Sequence, residues 1–357
     1  MAAALTVEVR HTLPGGFLLR AGVVLGPEPA ITVLFGPSGS GKTSLLRAIA
    51  GLDRPQSGTI RAGDTTWLDD SVCLHPQRRQ IGYIQQDDAL FPHLSLRDNA
   101  LFALRSLQRQ EAMQRVSTLF DSLGIAELAD RLPSQVSGGQ RQRASLARTL
   151  ATRPRLLLLD EPLSALDIPT REEVRLQLRR ILASLNIPTI LVTHDRADAI
   201  ALGDFMAVMI KGEIRQHDRT PVVFSRPSDP DVARLLGVET LVEGTILSTD
   251  RGMALIRVGP IELSAVCDRP PGPALICIRA EDLTLHKHAP EAQSARNHLS
   301  GRVTSLDSDG PRVRVGIDCG FPMVATITRP AAEDLALVQG SPIIASIKAS
   351  AIHLIAR

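Results

Sequence analysis

Long apolar runs are what this sequence most plainly lacks. No stretch of its 357 residues approaches the ~20 consecutive apolar positions needed to cross a bilayer as a helix. The most tempting run, LLLLDEP at 156–162, meets two acids after a few leucines. Any membrane association is therefore expected through a partner. The amino terminus, MAAALTVEVRHTL, carries Glu8 and Arg10 where an export signal needs an unbroken apolar centre, so no export signal is expected. An excess of charge of either sign is also missing. The net charge is +2, which gives no electrostatic reason to expect a nucleic-acid partner. Cysteine is sparse, and Cys73, Cys267, Cys277 and Cys319 have no C-x-x-C spacing. That argues against a disulfide framework or a zinc site, and favours a reducing compartment.

What is present alternates strand and helix signals. The apolar ITVLF of residues 31–35 runs into GPSGSGKT and then into the helical period of SLLRAIAGL. A mainly helical stretch follows, with Ala112, Val116, Leu119, Phe120 and Leu123 on one face. Strands return at 155–159 and 189–193, separated by a helical stripe of Val174, Leu178, Ile181, Leu182 and Leu185. That order predicts a mostly parallel sheet with covered faces. FMAVMIKGEIRQ at 205–216 reads as a hairpin turning at Lys211 and Gly212. From Thr240 onward short alternating segments are broken by Gly, Pro and Asp, which predicts a small all-β barrel or a pair of them. Residues 239–285 and 298–355 are candidates for two related folds, with 286–295 as a linker.

The chemistry concentrates in four places. Gly36, Pro37, Ser38, Gly39, Ser40, Gly41, Lys42 and Thr43 satisfy G-x-x-x-x-G-K-[ST] between a strand and a helix. Such a loop wraps phosphates in backbone N–H groups, with Lys42 neutralising charge and the Thr43 hydroxyl ligating Mg²⁺. Asp160 and Glu161 end an apolar strand, one placed to hold Mg²⁺ and the other to polarise a water. His194 ends the next strand on the same side of the sheet and is a candidate contact for a γ-phosphate. VSGGQRQR, with Ser137, Gly138, Gly139 and Gln140, reads either as a glycine turn capping a helix or as a second anion cradle. It lies in the helical insertion, away from Lys42, so a cradle there would serve a nucleotide held by another copy of the chain.

Taken in order, GPSGSGKT, the glutamine of YIQQDDALFPHLS, SGGQ, LLLLDEP, SALD and His194 resemble the ATP-binding cassette ATPases over about residues 1–236. The resemblance implies an α/β P-loop NTPase domain with a helical subdomain at about 87–155. It also implies a head-to-tail homodimer that sandwiches ATP between one chain's phosphate loop and the other's SGGQ. In it Gln86, with Gln85 one residue off in register, is the lid glutamine sensing Mg²⁺. SALD at 164–167 is the loop that crosses the dimer. Phe17 is a candidate to stack on adenine, or an ordinary core phenylalanine. The segment between Asp87 and Ser95 is the contact for the coupling helix of a membrane permease, or packs on the chain's own helices. Val136 stands where the family usually has leucine.

Residues 237–357 are similar to the OB-like regulatory barrel (TOBE/Mop type) of importer ATPases, with its core at about 293–357. SARNHLSGRVTSL and the spacing beyond it look most like molybdate importers. That likeness implies an oxyanion held by Ser294, Arg296, Asn297 and Lys348, unless these are solvated turn residues. The expectation is an ATPase subunit of an import system at the cytoplasmic face of the inner membrane. It would use ATP and Mg²⁺, meet permease subunits directly and an external solute-binding protein indirectly, and bind no nucleic acid. Molybdate ranks first, then sulfate or iron; a soluble cassette ATPase without transport is the competing class.

Overall fold

A computed structural model describes residues 5–26, 28–86, 89–164, 166, 168–288 and 294–356. The chain divides into two compact units, residues 1–223 and 224–357.

In the first unit, β1 (Leu5–Thr12) and β2 (Leu18–Leu25) form a hairpin, and β3 (Ile31–Phe35) leads through the glycine loop into α1 (Lys42–Ala50). A second hairpin, β4 (Ser57–Ala62) and β5 (Thr65–Leu68), is followed by β6 (Ile81–Ile84). The helices α2 (Leu96–Phe102), α3 (Arg109–Ser122) and α4 (Gly138–Ala151) come next. Then β7 (Leu156–Asp160), α5 (Ile168–Leu185), β8 (Thr189–Thr193) and α6 (Arg196–Leu202) alternate before the hairpin of β9 (Phe205–Ile210) and β10 (Glu213–Arg219), which is followed by α7 (Thr220–Ser225).

Ten strands make one sheet in the order β5-β4-β1-β2-β10-β9-β3-β8-β7-β6. From β9 to β6 neighbouring strands are parallel, and β3, β7 and β8 are buried at every residue. Continuous apolar sequence is what two covered faces demand. β2 alternates strictly between buried and exposed residues, so one face of the antiparallel side is solvated. The expected mostly parallel sheet is thus only the end of it that runs from β9 to the β6 edge. On the other side the hairpins β1–β2 and β4–β5 continue it with antiparallel pairs, and Val7, Val9, Leu19 and Ala21 of the first share a core with Leu45, Leu46 and Ile49 of α1. The turn between β9 and β10 falls at Lys211 and Gly212, with φ of +49° and +83°, the left-handed pair a two-residue hairpin requires.

The second unit comprises α8 (Pro230–Leu235) and two five-stranded antiparallel sheets. Its strands are β11 (Thr240–Asp250), β12 (Met253–Val258), β13 (Ile261–Val266), β14 (Gly272–Ile278) and β15 (Thr284–His286). A second set follows: β16 (Asn297–Asp309), β17 (Arg312–Asp318), β18 (Pro322–Thr328), β19 (Pro342–Ile347) and β20 (His353–Ala356), with α9 (Arg329–Asp334) after β18. The sheets run β13-β12-β11-β14-β20 and β15-β19-β16-β17-β18. The two halves repeat one plan, including a register shift in the long strand at Ile246/Ser248 and again at Val303/Ser305. They do not close separately. β15 pairs with β19 and β20 with β14, so each half gives its last strand to the other's sheet. Residues 224–236 pack with this unit: Arg279 donates to the carbonyls of Leu236 and Phe224, and Ala233 shares a core with Cys277 and Ile355.

Candidate functional site

The loop after β3 is shaped by close backbone approach. A Cβ at Gly36 would lie 2.2 Å from the carbonyl oxygen of Met209, and Gly39 and Gly41 have φ of +77° and +97°. Only glycine accommodates these demands together. The Lys42 ammonium, in a residue only 5 % exposed, donates to the carbonyls of Gly36 and Pro37 at 2.9 and 2.8 Å. Burial lowers its pKa from the ordinary lysine value, while Glu161 and Asp160 pull it back up. The Ser40 hydroxyl is buried with no hydrogen-bond partner among the described residues. An orphaned hydroxyl inside a turn opening onto the free N–H groups of a helix start fits a phosphate ligand.

β7 delivers the carboxylates. Asp160 Oδ1 accepts from the Thr43 hydroxyl at 3.1 Å and Oδ2 from the Tyr83 hydroxyl at 3.2 Å. Burial raises the pKa of Asp160 above the usual carboxylate range, opposed by the Thr43 and Tyr83 hydrogen bonds. Thr43 and Asp160 offer hard oxygen donors side by side, a pair that suits Mg²⁺. Tyr83 was not singled out by sequence reasoning. Its signal was a lone tyrosine in IGYI, which pairs with the LLLLD strand.

Glu161 leaves the sheet with φ +46°, a left-handed backbone outside glycine that is worth a functional explanation. Its N–H still donates to Val192 of β8 at 3.0 Å, and its carbonyl accepts from Ser164 N–H and Oγ at 3.1 and 2.9 Å. This bend turns the carboxylate toward the end of β8, where Glu161 Oε1 and His194 Nδ1 are 2.9 Å apart. Lys42, Thr43, Asp160, Glu161 and His194 therefore meet at one end of the parallel strands. Phe17, in the β1–β2 turn, is half-buried, and its ring edge lies 3.3 Å from where a Gly41 Cβ would stand. Gln85 and Gln86 are exposed just after β6, whose Ile84 pairs with Leu159.

Ser137 and Gln140 form a reciprocal cap on α4: Ser137 Oγ accepts from Gln140 N–H at 3.3 Å, and Gln140 Oε1 accepts from Ser137 N–H at 2.9 Å. The glycines between them are set by packing. A Cβ at Gly138 would lie 2.6 Å from Leu166 Cδ2, and one at Gly139 would lie 2.8 Å from Val174 Cγ2. None of these four residues hydrogen-bonds to the phosphate loop of the same chain among the described residues. Of SALD, Ala165 and Asp167 lie outside the described residues, as do Asp87 and Asp88 of the segment ending at Ser95. The rest of that segment is held by Asn99, fully buried, which accepts from Phe91 N–H and donates to the carbonyls of Phe91, Leu94 and Ser95.

In the second unit Ser294, Arg296 and Lys348 are exposed, and Asn297 pairs with Ile347 at the end of the β16–β19 ladder, so Arg296 and Lys348 flank that pair. The Asn297 side chain, expected to face an oxyanion, has partners within the fold. Its side chain accepts from Ser264 N–H at 2.7 Å, and its two N–H donors are spent on the carbonyls of Ser264 and Ile347 at 2.9 and 3.2 Å. Asn297→Leu is accordingly expected to destabilise the fold by roughly 1–3 kcal/mol by orphaning these groups. Denaturant unfolding checks this, and an unchanged midpoint would contradict it.

Both units have counterparts among known proteins. The ABC transporter family model matches residues 27–164 and the TOBE domain model residues 293–354. A molybdenum import ATP-binding protein of Pseudomonas savastanoi pv. phaseolicola is 36 % identical over 371 residues, 99 % of each chain. The chain belongs to the ABC transporter family. A molybdate/tungstate import ATP-binding protein of Pyrococcus horikoshii is 36 % identical over 90 % of this chain and 91 % of its own. A sulfate/thiosulfate import ATP-binding protein of Mycolicibacterium paratuberculosis is 38 % identical over 95 % and 88 %. This ABC protein is thus an importer ATPase whose ATP-binding unit is followed by a TOBE-type β unit, and it works in a system with a membrane permease. Among the described residues no helix is long and apolar enough to cross a membrane.

Proposed function

We propose that this ABC importer ATPase drives uptake of molybdate, as a homodimer peripheral to the inner membrane on its cytoplasmic face. The observation that carries the substrate is the full-length likeness to a molybdenum import protein, which extends through the β unit as well as the ATPase unit. The exposed cations Arg296 and Lys348, with Ser294, suit a small oxyanion at that unit. Sulfate is the second reading, favoured by the sulfate/thiosulfate relative.

Mg²⁺ bound with ATP neutralises charge on the phosphates. For the chain's own part, Thr43 and Asp160 hold that ion, Lys42 transfers its hydrogen bonds from loop carbonyls to phosphate oxygens, and Ser40 contributes its hydroxyl. Glu161 orients and deprotonates the attacking water, His194 fixes the Glu161 carboxylate, and Gln86 would offer its amide oxygen to the ion. Phe17 stacks on the adenine beside the glycine loop. Ser137, Gly138, Gly139 and Gln140 of the second copy complete the site. Residues 89–95, braced by Asn99, face the permease, and an external solute-binding protein delivers the cargo.

The deciding experiment is hydrolysis by the transporter reconstituted with its permease and binding protein, with molybdate, tungstate, sulfate and iron each offered in turn. Stimulation by molybdate and tungstate is expected. Stimulation by sulfate alone would replace the first reading with the second.

A further inference from the structure

The backbone around His194 is fastened to α5 by a buried charge cluster that the hydrolytic chemistry does not use. Asp198 is 2 % exposed, yet its carboxylate accepts from Arg171 Nε and Nη2 at 3.2 and 2.5 Å and from Arg175 Nε at 2.7 Å. Arg171 and Arg175 stand one turn apart on α5 and grip it together. Asp195, next to His194, accepts from Asp198 N–H at 2.8 Å and lies 3.7 Å from Arg171 Nη2. Thr193, on the other side of His194, accepts from Asp195 N–H at 3.0 Å. Dissociating this cluster would leave charges buried without partners, so the His194 segment and α5 must move together.

An adjoining face of α5 bears on α4. Val174 touches the bare backbone of Gly139, where a Cβ would already be too close. Further along, Leu178 and Ile181 face Leu146 and Gln142 across a small gap, and the buried Gln142 amide has no hydrogen-bond partner in the described residues. That seam is under-packed, so repacking costs least there. At Gly139 contact is direct, so α5 cannot shift without displacing the start of α4.

We propose that Arg171 is a positioning residue that makes α5 a rigid link from His194 to Gly139. The state of one nucleotide site then reaches the segment that completes the other. The inference rests on the homodimer reading above, in which Ser137–Gln140 serve the partner's nucleotide. In that reading His194 reports on the chain's own nucleotide through Glu161, 2.9 Å away, and α4 presents its start to the second.

The test is hydrolysis by the full-length chain as a function of ATP concentration, alongside binding of a non-hydrolysed ATP analogue. The wild type is expected to show a Hill coefficient above 1. Arg171→Met should bring it to 1, removing an effect of one bound nucleotide on affinity at the second site of about 5- to 150-fold, the range of typical site–site coupling. Analogue affinity of the single chain, measured in a Ser137→Arg background, should stay within about threefold, since Arg171 touches no nucleotide-binding residue. Arg171→Lys keeps the charge but not the fork and should recover only part of the cooperativity. In Arg171→Met the Asp198 carboxylate keeps Arg175 as its partner, so no buried charge is orphaned and melting temperature should change little while cooperativity is lost, which separates coupling from folding. A folded Arg171→Met variant as cooperative as the wild type would overturn the proposal. A wild type with a Hill coefficient of 1 and no ATP-dependent dimer would instead overturn the homodimer reading beneath it.

Discussion

Glu161→Gln is expected to reduce ATP hydrolysis by about 10²- to 10⁴-fold, the contribution typical of a positioned general base. The replacement keeps the length of the side chain and an oxygen able to face His194 Nδ1, which sits 2.9 Å from the native carboxylate. It also keeps a Cβ at a backbone already held at φ +46°, so no new strain arises at the turn. Only the capacity to take a proton is lost. Nucleotide affinity should survive, because Lys42, Thr43 and Asp160 are untouched, and the loaded dimer should persist instead of opening. Phosphate release in the steady state, with ATP retention on a sizing column, measures both halves. Hydrolysis near the wild-type rate would remove Glu161 from the chemistry.

The second large effect is expected at Ser137. Ser137→Arg places a long cation at the exposed start of α4, where the helix dipole disfavours positive charge and a partner's nucleotide is to dock. ATP should still bind each chain, while ATP-dependent dimerisation and hydrolysis should both disappear. Losing the cap alone costs about 1 kcal/mol. Ser137→Ala, which loses the cap without adding bulk, should therefore still dimerise at slightly lower stability. Light scattering with and without ATP distinguishes the two variants. A closed dimer of Ser137→Arg would contradict the reading of SGGQ as half of a shared site.

The parts legible in the sequence were those where local chemistry dictates local structure. Lys211-Gly212 announced its hairpin, and the glycine loop between ITVLF and SLLRAIAGL announced its turn. The antiparallel hairpins β1–β2 and β4–β5 were harder to place, because β1 pairs with β4 and β2 with β10 across long sequence separations. Tyr83 and Asn99 carried no pattern at all. Each acts through one partner cluster that only the fold assembles, Asp160 for one and the carbonyls of Phe91, Leu94 and Ser95 for the other. SGGQ was read for its free N–H groups, yet its two glycines are also demanded by Leu166 and Val174. Asn297 shows a signal that was available. It falls in phase with inward Leu299 and Val303, whereas Arg296 and His298 fall on the exposed positions. Period two already put its amide inside.

The exchange of β15 and β20 between the two sheets bears on how the chain is made. The first sheet lacks its edge strand until His353–Ala356 has been synthesised, so residues 237–288 emerging from a ribosome present an unpaired β14 edge to any neighbouring chain. Stopping translation shortly before the end would harm the earlier half as much as the later one. Expression of 293–357 by itself likewise leaves β19 without β15. Each half therefore needs the other to complete its sheet, and a nascent chain cut before β20 is left with an exposed β14 edge open to pairing with other chains.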